Sequence, residues 1–100
     1  MNILVRYQGS NATLSPTGFI DEYTANDFRE KLNELIDSGV RTVELDMAGV
    51  DFMDSTGIGV LLSRYKIMKS KGITMQLSHC NKQVDKLFRL TGIYSIIATR

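Results

Sequence analysis

The sequence predicts a small mixed α/β domain of ββαβαβαβ order, and three observations carry that prediction. Two strand-like runs follow one another across Gly9-Ser10-Asn11. After them, helical and alternating apolar periods take turns to the C-terminus. Glycines at 39, 49, 72 and 92 punctuate the series. Single helices between strands favour parallel, right-handed crossovers, and the opening hairpin adds an antiparallel element.

Each element has a local reason. "NILVRY" (2–7) and "ATLSPTGFI" (12–20) are the opening strands. Pro16 has no amide hydrogen, so the second strand is expected at an edge or bulged there. Thr24 stands where a helix cap belongs, with Asp27 three residues on in capping-box position. Ala25, Phe28, Leu32, Leu35 and Ile36 recur at helical spacing, and Gly39 ends that helix. In "TVELDM", Val43, Leu45 and Met47 point one way while Thr42, Glu44 and Asp46 point the other. A turn at Ala48-Gly49 leads into "DFMDSTGIGVLL", Asp51 to Leu62.

From Ser55 a second helix is predicted. Ile58, Leu61, Leu62, Tyr65 and Met68 form its apolar stripe, and Val60 falls off that stripe towards the surface. Arg64, Lys66, Lys69 and Lys71 gather near its end, where the helix dipole favours cations. "ITMQLSH" is a further alternating strand with Ile73, Met75 and Leu77 on one side. Asn81 caps a last helix carrying Val84, Leu87, Phe88 and Leu90, closed by Thr91-Gly92. "YSIIAT" (94–99) is the predicted final strand.

Composition narrows the function. The 100 residues are 43% apolar and 23% charged, which suits one soluble domain over 1–100. A net charge of +1 gives no electrostatic case for nucleic acid or anionic lipid. Lysines 66, 69 and 71 read as a solvated helix end. No apolar run approaches the roughly 20 residues of a membrane span. "MNILVRYQGS" lacks a signal-peptide core, so a cytoplasmic protein without membrane attachment is expected. Cys80 is the only cysteine, which excludes an intrachain disulfide. Its neighbour His79 is the only histidine, and adjacent residues rarely face each other. No metal or cofactor is expected.

The chemistry concentrates in Asp54-Ser55-Thr56-Gly57, where the chain turns into a helix. Asp and Ser are good N-caps, so a cap is the plainest role. An aspartic protease would have one residue, not two, between Asp and Gly, and an all-β setting. A serine hydrolase elbow reads G-x-S-x-G, whereas position 53 is Met. Gly57 and Gly59 make G-x-G, but the third glycine of a dinucleotide loop and the GK[ST] of a P-loop are missing. A phosphorylation switch uses the same turn differently. A hydroxyl at a helix N-terminus is presented on still backbone, and a phosphate there meets the positive end of the dipole. Glycines at 57 and 59 would let a partner's backbone approach.

The order of elements, with "VDFMDSTGIGVLLSRYKIMKSKG", resembles the STAS domain in its small form, the bacterial anti-sigma factor antagonists. "GFIDEYTANDFREKL" (18–32) is similar to that family's entry into its first helix. "VDKLFRLTGIYSII" (84–97) is similar to its last helix and closing strand. The likeness covers nearly the whole chain. It implies the STAS fold, a mixed sheet with helices on one face. It also implies partner switching. The unmodified antagonist binds an anti-sigma factor that is a serine kinase, frees the sigma factor, and is released when the kinase spends ATP on its serine. A metal-dependent serine phosphatase resets it. The family's phosphoserine falls on Ser55. Asp21, Thr24, Asp54, Thr56, Gly57, Ile58 and Val60 then line the docking surface, with Asp21 expected near Ser55. Phe19 departs from an acidic family position, and Pro16 interrupts the strand before it. Two other readings stay open. One is a STAS subunit, never phosphorylated, of a lipid-transport or signalling assembly, against which a phosphorylatable Ser55 argues. The other is a small hydrolase or protease using Asp54 or Ser55.

Overall fold

The computed structural model describes residues 1–99; Arg100, the last residue of the predicted domain, lies outside the described residues. The elements are β1 (Asn2–Gln8), β2 (Asn11–Ile20), α1 (Ala25–Asp37), β3 (Thr42–Asp46), β4 (Val50–Met53), α2 (Ser55–Ser70), β5 (Thr74–Ser78), α3 (Lys82–Thr91), a 3-10 turn (Ile93–Ser95) and β6 (Ala98–Thr99). The sheet runs β1-β2-β3-β5-β6, with β4 also paired to β2. The β1–β2 hairpin is antiparallel and the other pairings are parallel.

Alternation sets the two faces of the sheet. Ala12, Leu14, Val43, Leu45, Met75 and Leu77 are buried on one face. Thr13, Glu44 and Gln76, on the other, are partly or fully exposed. The five apolar residues predicted for α1 are all buried, and α1 packs against α2. This is the mixed sheet with its helices over one face.

Four expectations are corrected. The first concerns β4, which the predicted order omits. It is four residues long with only Val50 and Met53 buried, so it carries no period of two. Its existence depends on β2, whose ten residues serve two parallel partners in turn. Asn11 to Leu14 pair with β3, and Gly18 to Ile20 pair with β4. The second concerns Pro16. Strand β2 is central rather than an edge, and its register shifts at Gly18/Phe19, not at the proline. Pro16 sits where β2 has left β3 and not yet joined β4, so its missing N–H removes no bond from either parallel ladder. Gly49 packs against this gap: a Cβ there would lie 2.7 Å from Thr17 Cγ2 and 3.0 Å from the Pro16 carbonyl oxygen.

The third correction is the closing strand. Only Ala98 and Thr99 pair with β5. Gly92 turns the chain out of α3 at φ 76°. The following residues fold into a turn, with the Ile96 and Ile97 amides both donating to the Ile93 carbonyl. Side chains of α3 hold it there. The Tyr94 hydroxyl donates to Asp85 Oδ1 at 2.8 Å, its ring stands edge-on to Phe88 at 5.8 Å, and the Arg89 guanidinium lies 5.5 Å from its centre. The fourth is Leu90, predicted on the apolar stripe of α3 and in fact 75% exposed.

Candidate functional site

The parallel β2–β4 pairing places the site. Ile20 is in register with Met53, so Asp21 and Asp54 leave neighbouring strands side by side. The Asp54 amide donates to the Ile20 carbonyl at 3.2 Å and ties the two ends together. Asp54 then caps α2, its Oδ1 accepting the Gly57 amide at 3.0 Å from an extended backbone. Because the aspartate supplies the cap oxygen, Ser55 begins the helix without that duty. Ser55 and Thr56 are exposed; Asp21, Thr24, Asp54 and Ile58 are half-buried.

The loop after β2 is locked by its own polar groups. Asp21 Oδ1 accepts from the amides of Tyr23 at 2.9 Å and Thr24 at 3.2 Å. Thr24 Oγ1 accepts the Asp21 amide at 2.9 Å and donates to the Phe19 carbonyl at 2.8 Å. The capping box predicted for Thr24 and Asp27 is therefore not formed. Thr24 has helical backbone angles and its hydroxyl points back to the end of β2, making no side-chain cap bond. The Asp27 carboxylate lies 3.3 Å from the N-terminal ammonium instead. The outcome is an Asp21 carboxylate held by the amides of its own loop, which leaves β2 next to the end of β4.

Two predicted contact residues lie beneath the surface. Val60 is 3% exposed, because the helix turns it towards the core rather than outward. Gly57 is buried as well: a Cβ there would fall 2.6 Å from the Ile20 carbonyl oxygen. Its smallness serves the seating of α2 on the end of β2, not access for a partner. Ile58 packs partly against the core.

An apolar surface beside the site was not foreseen. Phe19 and Phe52 are opposed across the β2–β4 pair, 6.0 Å apart and edge-to-face, and 57% and 47% exposed. Phe52 and Met53 then border a groove of about 310 Å³ with Val84, Lys86, Leu87 and Leu90 of α3. The unusual Phe19 was the sequence signal; its pairing required β4.

Other titratable groups lie elsewhere. His79 Nδ1 is 3.1 Å from Asp46 Oδ1, at the end of β3. Beside α3, hydrogen bonds from Arg89 and Tyr94 hold the Asp85 carboxyl below its ordinary range, and burial pushes the Cys80 thiol up. Among the described residues, no three His, Cys, Asp or Glu side chains converge as a metal site would. No described helix is long and apolar enough to cross a membrane.

Known proteins share this chain's sequence family and its fold. The STAS domain profile matches residues 2–100. The anti-sigma-B factor antagonist of Bacillus subtilis is 32% identical over 97 residues, covering 97% of this chain and 88% of that protein. An anti-sigma factor antagonist from Mycobacterium paratuberculosis superposes with a TM-score of 0.89 at 18% identity, over 98% of this chain and 83% of the other. The Bacillus cell fate determinant SpoIIAA in its phosphorylated form gives 0.75 at 19% identity, over 99% and 91%.

Proposed function

The chain belongs to the STAS domain family, and from that premise we propose that it is an anti-sigma factor antagonist switched by phosphorylation of Ser55. The observation that carries this reading is the division of labour at the start of α2. Asp54 caps the helix, and an exposed serine stands next to it at the first helical position. The relative of 32% identity is named as an anti-sigma-B factor antagonist, and a protein of the same fold exists in phosphorylated form.

In this reading the unmodified chain binds an anti-sigma factor that is also a serine kinase, and the sigma factor goes free. The Ser55 hydroxyl oxygen attacks the γ-phosphorus of ATP held by the kinase. The new O–P bond forms as the bond to the β-phosphate oxygen breaks, ADP leaves, and the serine proton passes to a base of the kinase. The product carries about −1.5 to −2 charges at neutral pH. The helix dipole tolerates that charge within the domain. A tight interface does not, because Asp54 and Asp21 flank it. A 100-fold loss of affinity needs about 2.7 kcal/mol, within reach of repulsion and desolvation at one buried phosphate. A metal-dependent serine phosphatase restores the hydroxyl by hydrolysis. Both partners are proteins, and neither nucleic acid nor a membrane surface enters the cycle.

Tagged Ser55→Ala and Ser55→Asp chains, expressed in the native cells, test the reading. The alanine chain is expected to retain a protein kinase through purification, and the aspartate chain to lose it. Equal retention by both would sink the proposal.

A further inference from the structure

The two glycines of α2 stand in opposite surroundings. Gly57 is buried against Ile20, as described above. Gly59 is exposed, has no left-handed backbone to accommodate, and, its chain neighbours and own helix backbone aside, no atom of the described residues lies within 4 Å of where a Cβ would sit. It is the fifth residue of a 16-residue helix, so it caps nothing. Glycine inside a helix is unfavourable relative to alanine, and among the described residues no close packing at this position calls for it. What gains from the missing side chain therefore lies outside the domain.

Its position says where. Residues four apart share one helix face, and side chains lean towards the N-terminus. A side chain at 59 would stand beside the Ser55 hydroxyl, one turn back. We infer that Gly59 is a clearance residue: it keeps the approach to Ser55 open so that a kinase's active-site wall can close over the start of α2. This deepens the phosphorylation reading and rests on it. Gly59 takes no part in the bond-forming step. It sets how closely the ATP held by the kinase can reach the serine oxygen, and a misplacement of about 1 Å slows such a transfer by about 100-fold.

The test uses purified, unphosphorylated full-length chains: wild type, Gly59→Ala, Gly59→Gln and, as a control, Lys66→Ala. Each is incubated with ATP and clarified extract of the native cells, and the initial rate of Ser55 phosphate formation is read by mass spectrometry. Thermal melting is measured on the same samples. The expected signature has opposite signs. Both Gly59 variants melt higher, by about 4 °C for alanine, yet they are phosphorylated more slowly, by about 100-fold for glutamine. Lys66→Ala keeps the wild-type rate. Wild-type rates in the Gly59 variants would overturn the inference while leaving the phosphorylation reading intact. No phosphate on wild-type Ser55 would overturn both. Slower phosphorylation with a lowered melting temperature would assign Gly59 a structural role and also overturn the inference.

Discussion

The Asp54 carboxylate accepts the Gly57 amide, and the next residue carries the exposed hydroxyl. Two substitutions separate what each part of this turn does. Asp54→Ala removes the cap oxygen and is expected to destabilise the domain by about 1 kcal/mol, lowering the melting temperature by about 4–8 °C. Gly57→Ala forces a methyl group against the Ile20 backbone, and overpacking of this kind destabilises by about 1–3 kcal/mol. A melt of Gly57→Ala within 1 °C of wild type would contradict the seating of α2 on β2. At this scale the aspartate cap and the serine are legible in the sequence because capping is local chemistry. The roles of Thr24, Gly57 and Val60 are not. Gly57 is decided by Ile20 at the end of β2, more than thirty residues away along the chain, Val60 by the packing that turns it into the core, and Thr24 by a hydroxyl that turns back to the Phe19 carbonyl.

Helix α3 and the 3-10 turn after it form the second scale. Asp85 bonds both Arg89, at 2.8 Å, and the Tyr94 hydroxyl, and its carboxyl is held below the ordinary value chiefly by Arg89. A depressed folded value means that this contribution is present above the unfolded carboxylate range of about 3.9 and is lost as pH falls through the folded value. Wild type is therefore expected to melt above Asp85→Asn at pH 7, with the gap closing below about pH 4. A gap that persists unchanged to pH 2 would contradict the assignment. The three helices are legible because each carries an apolar stripe or a cap readable within a dozen residues. Strand β4 and the closing turn are not, because four residues cannot display a period and Tyr94 is committed by its contacts with α3.

Over the whole molecule, β2 is the organising element. It pairs with β1 on one side and with β3 then β4 on the other, and its far end delivers Asp21 beside Asp54. The class of fold is legible because helices between strands leave few right-handed, parallel arrangements. The sharing of β2 is not, because it depends on where a central strand changes partners. The same frame implies that the switch needs no refolding. In the proposed switch the phosphate would be added to an exposed hydroxyl on a helix whose cap lies next door. Ser55→Asp is therefore expected to keep the wild-type scattering profile, its Cα radius of gyration being 12.2 Å in the unmodified chain. An expansion detected by small-angle scattering would mean that the charge acts by opening the domain.

The central claim is that Ser55 is the switch, and it is tested most directly by mass spectrometry of the protein purified from its native cells in two growth states. The account predicts a phosphate on Ser55 whose occupancy differs between the states. An unmodified Ser55 in both, with the chain held in one stable complex throughout, would contradict it.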